Sequence, residues 1–194
     1  MIYVEPPMYG DGAGHPGFIG GEGLVVLYRN GERLGEAPTL WGEFDVPPER
    51  ASYRVQLTLA QSLFELTTLQ TAVWEFESAH VDRSTLVPLL SVRFAPELNE
   101  RGRAPRGRHF RLPFSVDQYG RQRSPRVSEP RIDVSYDEGA SWTRAPVSAE
   151  AEGWSAKLEH PRHADYVSLR ASVRDRQGNS AEQTLIRAYA LAGR

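Results

Sequence analysis

Apolar and polar residues alternate with a period of two along most of this chain, the spacing that puts apolar side chains on one face of a β-strand. The clearest case is ASYRVQLTLA, where Tyr53, Val55, Leu57 and Leu59 alternate with Arg54, Gln56 and Thr58. Ahead of it, Leu24 to Tyr28 and Arg33 to Ala37 flank Asn30-Gly31, a dipeptide suited to a type I′ turn, and predict a hairpin. WGEFDV (41–46) predicts a short strand halted by Pro47-Pro48, and LQTAVWEF (69–76) a longer one. LVPLLSVRF (86–94) predicts another, with Pro88 favouring an edge position.

Further along, Phe110–Val116, Arg131–Tyr136, Ser141–Val147, Trp154–Leu158, Tyr166–Val173 and Thr184–Leu191 read as short strands at the spacing of a sandwich. A competing helical reading exists for Ala60 to Thr68, where Leu63, Phe64 and Leu66 fit a turn or two, but no cap or sustained 3.6-residue period supports it. Glu5 to Gly23, rich in Gly and Pro, reads as loop. The expected fold is all-β: two tandem β-sandwich domains of immunoglobulin or fibronectin-III type, over 1–103 and 104–194. The boundary is placed in the charged, Gly- and Pro-containing segment Glu97 to Arg108.

Composition narrows the function classes. Hydrophobic residues make up 40% of the 194, enough for one or two cores. A net charge of −2 gives no electrostatic reason to expect nucleic acid or an anionic membrane as partner. Lys157 is the only lysine among 23 basic residues, a bias that fits a GC-rich genome. Without cysteine, disulfides, thiolate metal sites and cysteine nucleophiles are excluded. No apolar run approaches the roughly 18 residues of a membrane span, and Met1 to Gly10 lacks a basic-then-apolar signal pattern. An exported protein with this sequence is expected to be a fragment or to have lost its signal.

The sharpest local motif is Ser135-Tyr136-Asp137-Glu138-Gly139-Ala140-Ser141-Trp142, the Ser-x-Asp-x-Gly-x-Ser/Thr-Trp pattern of an Asp-box hairpin. Asp137 can accept from turn amides, Gly139 can take positive φ, and Trp142 can fold back over the turn. Its role is read as structural, with Asp137 and Glu138 as weak calcium candidates. Asp175 to Asn179 predicts a second hairpin turn; Gly178-Asn179-Ser180 lacks the surroundings of a nucleophile elbow. Pro161 keeps His160 and His163 off one helical face, so they make a poor zinc pair, and no metal or other cofactor is expected. His15, and His80 beside Asp82, read as surface residues. Of the four tryptophans, Trp41 and Trp154 are candidate platforms for a ligand such as a sugar, although large aromatics in sandwiches are more often core. The cluster Arg101, Arg103, Arg106, Arg108 and Arg111 reads as a solvated linker rather than an anion site.

The runs VSYDEGASWTRAPV, GWSAKLEHP and YVSLRASVRDRQGNSAEQTLIRAYAL resemble the carboxy-terminal region of secreted subtilisin-like serine peptidases of actinomycetes. The upstream runs LYRNGERLGE, ASYRVQLTLA, AVWEFESAH, PLLSVRFAPEL and RAPRGRHFRLPFSV resemble the part preceding that region, so the resemblance spans roughly Gly21 to Leu191. It implies a non-catalytic accessory module, extracellular, whose partner is a peptidase catalytic domain or its protein substrate. The family's catalytic motifs Asp-Thr-Gly, His-Gly-Thr and Gly-Thr-Ser-Met are absent, so no catalytic residue carries over. Carbohydrate or cell-surface binding is the alternative expectation.

Overall fold

The structure is a computed structural model that describes residues 1–5, 21–83, 85–118 and 125–192. Most of the Gly/Pro-rich leading loop, including His15, lies outside the described residues. All regular elements are strands: β1 (Ile2–Val4), β2 (Glu22–Arg29), β3 (Glu32–Ala37), β4 (Gly42–Phe44), β5 (Ala51–Ala60), β6 (Leu69–Ser78), β7 (Leu90–Phe94), β8 (Arg103–Ala104), β9 (His109–Gln118), β10 (Arg131–Ser135), β11 (Thr143–Ala145), β12 (Val147–Glu150), β13 (Gly153–Glu159), β14 (Tyr166–Arg174) and β15 (Ser180–Leu191). The protein is all-β, in the manner of a β-sandwich. Among the described residues no helix forms, and 61–68 is a loop.

A long sheet runs β11-β10-β14-β15-β6-β5-β2-β3, with β8 added in parallel at the end of β15. A smaller sheet runs β12-β13-β9-β7, and β1 pairs with β4 in a separate ribbon. Alternation decides what each strand buries. In β5, Tyr53, Val55, Leu57 and Leu59 are inside while Arg54 is exposed. Each fully buried leucine of this kind contributes about 1.5–3 kcal/mol relative to exposure. Directly paired aromatics lock the register, with Tyr53 stacked on Phe76 at 6.0 Å and Phe94 tilted against Phe114 at 6.1 Å. The β2–β3 turn takes the type I′ form its Asn-Gly predicts, with φ of 52° at Asn30 and 86° at Gly31.

A division at 103/104 falls inside β8, and hydrogen bonding crosses it in several places. β6 pairs with β15, β7 pairs with β9, and the buried side chains from both sides form one cluster. The arginine-rich segment is built into the structure instead of linking two bodies. Asn99 Oδ1 accepts from the amides of Arg101 and Arg103, Arg103 donates to the Leu191 carbonyl, and Arg106 pairs with Asp165 at 2.6 Å. Charge density made this stretch look like a linker; the Asn99 bonds are local, but the contacts of Arg103 with Leu191 and of Arg106 with Asp165 are with partners far along the chain.

The two sheets are also joined by side chains. β7 is an edge strand, as Pro88 just ahead of it suggested, with the main-chain groups of Leu90 and Val92 facing away from β9. Trp74 Nε1 on β6 donates to the Leu90 carbonyl at 2.7 Å, and the Val92 amide donates to Gln183 Oε1 on β15 at 2.5 Å. An open edge would otherwise bury unpaired backbone groups or invite pairing with another chain.

Candidate binding surface

β10 ends in the Asp-box turn, whose side chains satisfy one another. Ser135 Oγ donates to Asp137 Oδ1 at 2.7 Å and accepts from the Gly139 amide at 2.8 Å. Asp137 also accepts from the Ser141 amide at 2.9 Å and from the Ser141 hydroxyl at 2.5 Å. These bonds, the Ser141 hydroxyl foremost, hold its carboxyl down at about 2. Gly139 sits at φ 90°, where a Cβ would lie 2.9 Å from Ile186 Cδ1. Trp142 folds back to cover Arg170, whose guanidinium carbon lies 4.7 Å from the ring centroid. Arg170 in turn reaches Asp133, a buried carboxylate shared with Arg131.

Beside this turn, β15 carries an irregularity that organises the neighbouring surface. Partners two residues apart on β14, Val167 and Leu169, face Tyr189 and Leu185, four apart on β15. The extra length is taken up where Arg187 has a φ of 57°. Its amide donates to Ser168 Oγ at 3.1 Å and its carbonyl accepts from the Thr67 amide at 2.9 Å. Its guanidinium lies 4.6 Å from the Tyr166 ring centroid and bonds Glu138 at 2.8 Å. One residue thus ties together β14, the Asp-box turn and loop 61–68.

That loop is braced from within. Gln61 Nε2 donates to the carbonyls of Phe64, Leu66 and Thr67, while Gln61 Oε1 accepts from the Phe64 amide. Tyr166 donates its hydroxyl proton to Glu65. The tip nonetheless presents Leu63 and Phe64 to solvent, 72% and 59% exposed. Next to Tyr166 lies a shallow groove of about 480 Å³ lined by Tyr136, Asp137, Glu138, His163, Ala164, Asp165 and Tyr166.

Behind the groove His160 is enclosed, 1% exposed, with the Phe110 ring 4.8 Å away. Tyr136 donates to the Glu159 carbonyl at 2.9 Å, leaving its oxygen to accept from His160 Nδ1–H at 3.1 Å. Nε2 then accepts from the Tyr189 hydroxyl at 3.4 Å. Burial lowers the imidazole to about 4 and raises Tyr136 to about 12. The ring is neutral at physiological pH.

The remaining sequence-predicted residues scatter. Glu138 is engaged by Arg187, and Asp137 by its own turn. Among the described residues, no three His, Asp or Glu side chains gather where a metal ion could sit. His160 points inward and His163 lines the groove, so the two do not converge. His80 is exposed near its partner in sequence, Asp82, and its amide donates to the Pro48 carbonyl. Asp175 organises the predicted turn, accepting from the Asn179 amide at 2.9 Å. Trp154 packs partly buried against the core, whereas Trp41 is 49% exposed. Tyr166 and Arg187 were not singled out as functional by the sequence, and Leu63 and Phe64 drew notice only through the competing helical reading of 60–68; a Leu-Phe pair at the centre of that connection was the available signal. No protein-family model matches the chain, and no curated protein matches it significantly.

Proposed function

We propose that this chain is a non-catalytic accessory module of a secreted subtilisin-like serine peptidase, and that it docks the catalytic domain or a protein substrate through loop 61–68. The observation that carries the docking is the exposure of Leu63 and Phe64 on a loop already braced by Gln61, Thr67 and Tyr166. A pre-ordered apolar tip loses little conformational entropy when it is covered. The groups that could move protons nearby are committed elsewhere, His160 between two tyrosines and Asp137 within its turn, which supports a binding role. The peptidase context rests on the order of the sequence runs that resemble the tail of that family. The opposition of β11-β10-β14-β15 to β12-β13-β9-β7 supports an immunoglobulin or fibronectin-III-like assignment for that part.

The test is titration of the chain into a subtilisin-like catalytic domain, followed by calorimetry. Binding is expected, and Leu63→Ser with Phe64→Ser should weaken it about tenfold or more, since few central apolar residues dominate such interfaces. Casein hydrolysis by the chain alone, abolished by a serine-directed inhibitor, would sink the reading.

A further inference from the structure

We propose that Tyr3 and Trp41 form a stacking platform for a neutral polysaccharide. In the β1–β4 ribbon, Ile2, Val4, Gly42 and Phe44 turn inward, while the directly paired Tyr3 and Glu43 turn outward. Gly42 packs closely there, since a Cβ would meet the Phe44 ring at 2.8 Å, and Trp41 immediately precedes the strand. The Tyr3 and Trp41 rings lie 6.3 Å apart at 36°, and each is about half exposed, 48% and 49%. Tyr3 is oriented by the bond from its hydroxyl to Glu5 Oε2 at 2.7 Å, and the Trp41 carbonyl accepts from the Thr39 hydroxyl. Two adjacent aromatic rings, each about half exposed, differ from the single exposed apolar side chains common on protein surfaces.

The chemistry of the surface selects the ligand class. The C–H face of a pyranose ring is apolar and covers an aromatic face, while its hydroxyls point outward as donors. Glu5 and Glu43 stand beside the rings as acceptors for those hydroxyls. The same two carboxylates repel an anionic glycan, which leaves a neutral one. A tilt between the rings suits successive sugars of a twisted chain better than a flat crystalline face. The platform uses none of the residues of loop 61–68.

The whole chain is tested by depletion on microcrystalline cellulose, chitin, insoluble xylan and starch granules, with a polyuronate gel as the anionic comparison. Retention is expected on at least one neutral polysaccharide. Trp41→Ala and Tyr3→Ala should each lower the partition constant about tenfold, while each variant still melts cooperatively, since neither side chain belongs to the buried core. Leu63→Ser with Phe64→Ser should leave retention intact, so failure here is distinct from failure of the protein-docking reading. No retention on any neutral polysaccharide, retention that survives the double variant of Tyr3 and Trp41, or stronger retention on the polyuronate would each overturn the proposal.

Discussion

His160 should make the stability of this protein fall as the pH drops from 8 to 5. The group is a base whose charged form is disfavoured by burial, so its folded value of about 4 lies below the roughly 6.5 of an unfolded histidine. Above both values the ring is neutral in either state and costs nothing. Between them the unfolded chain takes up a proton that the folded protein refuses, so stability decreases as pH falls and levels off below about 4. The full displacement corresponds to about 3 kcal/mol, of which about 2 kcal/mol is lost by pH 5. The assay is urea unfolding of the wild type and of His160→Gln at several pH values from 8 to 5. The amide can still bond both tyrosines but does not titrate, and the difference between the two proteins cancels every other ionisable group. Asp137, held at about 2, releases its contribution only in stronger acid and leaves this window clear. A difference that stays flat between pH 8 and 5, or that grows in favour of the wild type in acid, would refute the enclosed neutral imidazole.

Two glycines with similar backbone angles should respond differently to alanine. Gly178→Ala, at φ 92° with open space around it, should cost only the left-handed strain of about 1–2 kcal/mol. Gly153→Ala, at φ 99°, also drives a Cβ to 2.7 Å from the Phe114 carbonyl oxygen, a backbone atom of the central strand β9, so its loss in thermal or urea melts should be clearly larger. At the edge of β7, Gln183→Leu should destabilise by about 1–3 kcal/mol, because it strands the buried Val92 amide. Equal stability of that variant and the wild type in urea would show that the amide finds another partner.

Much of the strand set was legible from alternation alone, because β5, β6, β9 and β14 each bury one face and the period of two registers that directly. Asn30-Gly31, Asp175–Asn179 and the Asp-box turn were legible too, since their bonds lie within a few residues of sequence. What escaped depends on distant partners. Nothing local marks β6 for pairing with β15, and RGRAPRGR looks like solvated linker until Leu191 and Asp165 are seen to hold it. Arg187 is an unexpected residue for positive φ, tolerated here because its amide, carbonyl and guanidinium all find partners in other elements. His160 looked like half of a poor metal pair, and only the approach of Tyr136 and Tyr189 from β10's turn and β15 gives it a role. The exposed pairing of Trp41 with Tyr3 was half legible: the tryptophan drew notice as a platform, but β1 was too short to register as a strand.

The place of β15 between β14 and β6 sets the order of events during synthesis at odds with the order of strands in space. Strands β2, β3, β5 and β6 can pair as soon as they leave the ribosome, yet β6 must wait with an open edge until Ser180–Ile186 arrives. β7 waits as well, because Gln183 on the same late strand caps its Val92 amide. Pairings this distant along the chain close slowly, and the growing polypeptide carries unsatisfied edges for most of its translation. A pause or a truncation before β15 would therefore leave an aggregation-prone half-sheet, rather than a smaller folded protein, as the species that chaperones have to manage.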